Sequence, residues 1–227
     1  MGRAERVGAL ASGGAAVADW TVRSERAAIP VSADDRVDTL VLLGHGAGSH
    51  MEHRTMLWLS ELVRQAGTGV VRFDFAYRVL GKSMPDRMPV LMETYRAVID
   101  SVRDRLAPKR LVIGGHSMGG RVASMIAAEG DKVDGLLLFG YPLHPPGQFN
   151  KMRDAHLPQI NCPVLQISGT RDELCRRDLM EGVPVGENYR VVWVEGADHS
   201  YSISKASGNT KKDAEGAMRN GIASFLS

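Results

Sequence analysis

Leu111-Val112-Ile113-Gly114-Gly115-His116-Ser117-Met118-Gly119-Gly120-Arg121-Val122-Ala123 is the stretch that decides the architecture. It opens as a short apolar, β-branched run. It passes through glycines on both sides of His116-Ser117-Met118, then continues with Val122, Met125 and Ile126 at helical spacing. That order predicts a strand, a sharp turn and a helix. Gly115 to Gly119 matches G-x-S-x-G. A serine at the apex of such a turn is forced into a strained backbone conformation. The residues two before and two after it approach each other, so both must be small. The helix beginning at Met118 points its first N–H groups, and the positive end of its dipole, at the serine oxygen. Ser117 is therefore the candidate nucleophile. The alternative is a glycine-rich turn that only lets helix and strand pack.

Outward from this turn, short apolar runs alternate with longer amphipathic ones. The runs are Thr39 to Leu43, Val70 to Phe75, Leu111 to Ile113, Gly135 to Phe139, Val164 to Ile167 and Arg190 to Val194. Strands this continuously apolar are covered on both faces, which predicts a parallel sheet. Leu91, Tyr95, Val98, Ile99, Val102 and Leu106 recur at helical spacing, and Pro108 lies just beyond as a stop. Met218, Ile222, Phe225 and Leu226 mark a last helix, with Ser204 to Asp213 read as the loop before it. Ala16 to Val31 is expected to add one or two antiparallel edge strands, and Pro30 suits an edge. The expected fold is α/β: a doubly wound, mostly parallel sheet flanked by helices.

The chain has 227 residues, 44% of them hydrophobic and 24% charged, close to the globular average. At about 150 residues per domain, it is one large domain or two small ones. No linker is visible, so a single domain over 1–227 is expected, with 1–18 a candidate flexible N-terminal segment. The 28 basic and 26 acidic residues nearly balance, so nucleic acid is not expected as a partner. No run of about 18 apolar residues exists, so no membrane span is expected. Two cysteines, Cys162 and Cys175, cannot build a disulfide framework or a four-cysteine zinc site, and Cys162 reads as a buried small hydrophobe. The apolar part of the N-terminus is broken by Ser12-Gly13-Gly14, so the default location is the cytoplasm.

A serine hydroxyl is a weak nucleophile without a base. In folds built around a nucleophile elbow, the chain order is serine, acid, histidine. Of seven histidines, only His199 follows the last predicted strand. It is the candidate base. The acid is expected after Val164 to Ile167, where Ser168-Gly169-Thr170-Arg171-Asp172-Glu173 stands; Asp172 is the choice and Glu173 the fallback. Asp198 adjoins the base and reads as structural. The oxyanion of an acyl-transfer intermediate needs two N–H donors. Met118, next to the nucleophile, is one. Ala47, in the glycine-rich loop after Leu43, is chosen as the second, with Gly46 or Gly48 as alternatives. That loop lacks the lysine of a phosphate-binding loop. His144, Arg78 and His116 are candidate substrate contacts. His50-Met51-Glu52-His53 lacks the i, i+4 histidine pair of zinc proteases and reads as a helix start or a loop at the pocket edge. No metal or organic cofactor is expected.

The succession HGAGS, GHSMGG, SGTRDE and GADHS resembles the α/β-hydrolase superfamily, in the small lid-poor group related to dienelactone hydrolases. More narrowly, Tyr141 to Leu165 with Asp172 to Cys175 resembles the predicted hydrolases related to testis-expressed protein 30. The similarity covers about Val37 to Leu226. Where the dienelactone group often carries cysteine as nucleophile, this chain has Ser117. The resemblance implies a serine hydrolase of the α/β-hydrolase fold, with no large cap domain, since only Tyr141 to Asn161 separates two strands where many lipases insert one. A small-molecule ester or acyl compound is the expected substrate, and a monomer or homodimer the expected state. Two rival readings use the same fold: a non-catalytic protein-binding scaffold, and acyl transfer or perhydrolysis by the same three side chains.

Overall fold

The computed structural model describes residues 17–34 and 37–227. One sheet holds eight strands: β1 (Val17–Arg23), β2 (Ala28–Asp34), β3 (Thr39–Gly44), β4 (Gly69–Phe73), β5 (Arg110–His116), β6 (Gly135–Phe139), β7 (Val164–Gly169) and β8 (Tyr189–Val194). Their order is β1-β2-β4-β3-β5-β6-β7-β8. Every neighbouring pair from β4 to β8 is parallel, and β1 and β2 are antiparallel additions at one edge. Pro30 lies in β2 and not in the outermost strand. It is tolerated because the β2–β4 ladder covers only Val31 to Ala33, leaving Pro30 outside it. The expected flexible segment 1–18 lies outside the described residues, apart from Val17 and Ala18, which open β1.

Among the described residues six helices accompany the sheet: α1 (Arg54–Arg64), α2 (Ala76–Val79), α3 (Met88–Leu106), α4 (Met118–Ala128), α5 (Arg177–Glu181) and α6 (Lys211–Leu226). The continuous apolar strands serve two cores at once. In β3, Leu40 and Leu42 face the cluster containing α3 and α4, while Val41 and Leu43 face the one containing α1 and α6. Each such fully buried side chain contributes about 1.5–3 kcal/mol by transfer from water. This double burial is why no polar alternation marks the central strands.

Of the boundaries that differ from expectation, three have a clear physical reason. β4 ends at Phe73, because Asp74 and Phe75 leave the sheet and Phe75 becomes the N-cap of α2. β5 runs on to His116, carrying the sheet up to the serine. α6 begins at Lys211, inside the segment read as a loop. Its first turn is exposed and has no apolar period, but Thr210 and Asp213 form a capping box that satisfies two of its free donors. Between β6 and β7, one 3₁₀ turn (Leu157–Gln159) is the sole helical piece among the described residues, so no cap domain covers the strand ends. No described helix is long and apolar enough to cross a membrane.

Candidate active site

Ser117 stands between β5 and α4 with φ 51° and ψ −114°, a region costly for any residue with a Cβ. The glycines around it are required, though not because they meet each other. A Cβ on Gly115 or on Gly119 would lie 2.1 Å from the Gly44 carbonyl oxygen. The elbow is therefore wedged against the end of the neighbouring strand β3, which is what a G-x-S-x-G pattern encodes here.

His199 follows β8 and Asp172 follows β7, so both arrive at the same carboxyl edge of the sheet as Ser117. The Ser117 hydroxyl lies 2.9 Å from His199 Nε2. His199 Nδ1 lies 2.8 Å from Asp172 Oδ2 and 3.0 Å from Oδ1. A carboxylate only accepts, so Nδ1 carries the proton and Nε2 is free to accept from the serine. The Asp172 side chain has no exposure, and its Oδ1 also accepts from the Leu174 N–H at 2.8 Å. Glu173 is exposed. Asp198 accepts from the Ser200 and Ser202 N–H groups, each at 2.9 Å, and so shapes the turn that carries His199.

Ala47 and Met118 both line the cavity beside Ser117. The Met118 amide belongs to the first turn of α4, where N–H groups have no partner within the helix. The loop of Ala47 is pinned by three side chains that sequence reasoning passed over. Buried His45 donates from Nδ1 to the Gly46 carbonyl at 2.8 Å and accepts at Nε2 from the Phe75 N–H at 3.2 Å. The Tyr77 hydroxyl accepts from the Gly48 N–H at 3.3 Å, and Asp74 from the Met51 N–H at 2.7 Å. His53 is the N-cap of α1 and accepts from Thr55, which makes the His50 to His53 segment a helix start.

The three expected substrate contacts do not line that cavity. His144 is fully buried: it donates from Nδ1 to the Pro145 carbonyl at 3.0 Å and accepts at Nε2 from the Arg176 N–H at 3.2 Å. It clamps the segment after Asp172, while its neighbours Pro142 and Pro146 reach the cavity. His116 lies behind His199, its Nε2–H donating to the His199 carbonyl at 3.1 Å. Arg78 sits on the short helix α2, its Nε buried without a partner. The cavity holds about 460 Å³ and is walled by Met88, Leu91, Pro142 and Leu174, with Arg121, Arg153 and Asp86 as its charged members. Arg121 was visible in the sequence as the fourth residue past the serine. Arg153 and Asp86 carried no signal.

Cys162 is half-buried and packs on the core rather than within it; Cys175 is the buried cysteine. Burial pushes the Cys175 thiol up to about 12.

Three histidines give the fold a pH dependence. Burial lowers His45, His116 and His156 from 6.5 to about 4 each. The folded chain holds these rings neutral, so between those values the unfolded chain binds more protons. Stability is complete above about 6.5 and is lost as pH falls toward 4. The urea unfolding free energy is therefore expected to drop across this window, with a shallower drop in His156→Gln. Equal slopes for the two proteins would show that His156 does not contribute.

A mostly parallel sheet, an elbow serine after β5, an acid after β7 and a histidine after β8 define the α/β-hydrolase class of fold. The chain belongs to that family: residues 37–227 match the family described as alpha/beta hydrolase domain. It is similar in fold to an alpha-beta serine hydrolase homologue from Coxiella burnetii, at 18% identity over 92% of this chain and 97% of that one, with a TM-score of 0.71. A dienelactone hydrolase from Anabaena variabilis matches at 17% identity, 93% and 96% coverage and a TM-score of 0.71. A serine hydrolase without a lid from Xanthomonas campestris matches at 20% identity, 95% and 96% coverage and a TM-score of 0.67.

Proposed function

We propose that the protein is a serine hydrolase that cleaves a small ester through an acyl-Ser117 intermediate. The observation that carries this reading is the unbroken hydrogen-bonded chain from the Ser117 hydroxyl through His199 to buried Asp172. Ser117 Oγ attacks the ester carbonyl carbon while His199 Nε2 takes its proton. Asp172 holds the imidazole tautomer and stabilises the imidazolium. The Ala47 and Met118 N–H groups receive the oxyanion. Collapse of the tetrahedral intermediate breaks the bond to the alcohol oxygen, which receives the proton from His199. Water then attacks the acyl-serine, giving its proton to His199, and the second collapse returns that proton to Ser117. General base catalysis contributes about 10²–10⁴ in rate, and each oxyanion donor about 10²–10³.

The absence of a cap domain and a cavity of about 460 Å³ favour short, water-soluble acyl groups. A fluorophosphonate probe is expected to label the protein at Ser117. In a chain-length series of p-nitrophenyl esters, turnover is expected to peak at short chains. An unlabelled serine would sink the hydrolase reading, and a maximum at long, micelle-forming chains would sink the small-substrate reading.

A further inference from the structure

Two cavities flank the candidate site. One, about 460 Å³, is lined by Ser117, Met118 and Ala47 but not by His199. The other, about 450 Å³, is lined by His199, Ser200 and Glu173 but not by Ser117. His199 delivers its proton to the departing alcohol, so that alcohol lies on the His199 side. The acyl chain, whose carbonyl oxygen faces Ala47 and Met118, then occupies the first cavity.

That cavity has an unusual charge arrangement. Arg121 lies one turn along α4 from Ser117, about 6 Å of helix rise. Its side chain makes no hydrogen bond or ion pair among the described residues, and its Nε is buried. Arg153 has a single side-chain bond, to the Pro142 carbonyl at 3.3 Å. Asp86 lines the same cavity but pairs with neither; its ion pair is with Arg26 at 3.9 Å, and its Oδ2 is buried and unpartnered. By contrast Arg64, Arg72 and Arg96 each face a carboxylate within 3 Å. The two cavity guanidiniums are also close enough to matter to each other. Burial, and then the charge of Arg121, hold Arg153 below its ordinary pKa and lower His156 to about 4. A half-buried guanidinium pair that touches no carboxylate is costly unless something else supplies the negative charge. Two cations and one carboxylate leave room for one further anion.

We propose that the acyl half of the substrate ends in a carboxylate held by Arg121 and Arg153, so that the enzyme hydrolyses half-esters of short dicarboxylic acids. This inference rests on the reading of Ser117 as the acyl acceptor. The one-turn separation of Arg121 from Ser117 suits succinyl, glutaryl or adipyl chains rather than long ones. Arg121 grips the carboxylate from the α4 side and Arg153 from the β6–β7 connection, with Met88 and Leu91 against the methylenes.

The test compares the p-nitrophenyl half-ester of glutaric acid with p-nitrophenyl valerate, its neutral counterpart of equal chain length. The wild type is expected to favour the half-ester in kcat/KM, and added salt to erode the preference. In Arg121→Gln and Arg153→Gln, the ratio of the two kcat/KM values is expected to fall by about ten- to hundredfold, the range for losing a charged hydrogen bond. A wild-type preference for valerate, or a ratio unchanged in both variants, overturns the proposal. Binding of monomethyl glutarate to Ser117→Ala, measured by calorimetry, separates the two readings. Salt-sensitive binding that Arg121→Gln abolishes supports the anion site even if neither ester is turned over. Lack of binding together with lack of turnover overturns both.

Discussion

Ser117→Ala is expected to lose turnover of any accepted ester by about a million-fold, the magnitude seen when the nucleophile of a serine–histidine–acid system is removed. The oxygen it deletes is the one 2.9 Å from His199 Nε2, and no other hydroxyl is hydrogen-bonded to that nitrogen among the described residues. Alanine accepts the same half-exposed position. Its Cβ is already present in serine, so the strain at φ 51° is neither added nor relieved. The fold should therefore survive, read as an unchanged far-UV circular dichroism spectrum and unfolding midpoint, while fluorophosphonate labelling disappears. A folded variant retaining more than a hundredth of the activity would remove Ser117 from the chemistry.

Asp172→Asn should cost about ten-thousand-fold in kcat, because the change reverses a hydrogen bond rather than deleting one. The carboxylate accepts from His199 Nδ1 through both oxygens, at 2.8 and 3.0 Å, and its side chain is fully buried, so bulk solvent cannot substitute for it. An asparagine amide in that place offers N–H groups to Nδ1. The imidazole would then carry its proton on Nε2, the atom that must accept from Ser117. Volume and packing barely change, and the Leu174 N–H can still bond the amide oxygen, so stability should move little. Loss of less than tenfold, with the variant correctly folded, would assign the orientation of His199 to other contacts, such as the one between its carbonyl and His116.

The strand–turn–helix elbow at Ser117 was legible in the sequence because its demands are local. Paired glycines, a short apolar run before them and a helical period after them lie within sixteen residues, Leu111 to Ile126. The meeting of the candidate acid and base with the serine was legible for a topological reason: in a parallel sheet every strand delivers its following loop to the same edge, so Asp172 after β7 and His199 after β8 meet Ser117 after β5. The start of α6 was not legible, because a capped and solvated first turn has no apolar period to read.

Sequence alone determined the parallel sheet, the elbow and the order of the three polar residues, since each follows from periodicity, glycine spacing or chain direction. Tertiary structure alone decided which surfaces face the cavity. It buried His144 as a clamp, set His116 behind His199, and turned Arg121 and Arg153 toward one space beside Ser117. It also gave the elbow glycines their true neighbour, the Gly44 carbonyl of β3. The physical reason is common to all four. They are contacts between segments far apart in the chain, fixed by how helices and loops pack against a twisted sheet, and no local pattern of polarity or spacing carries that information.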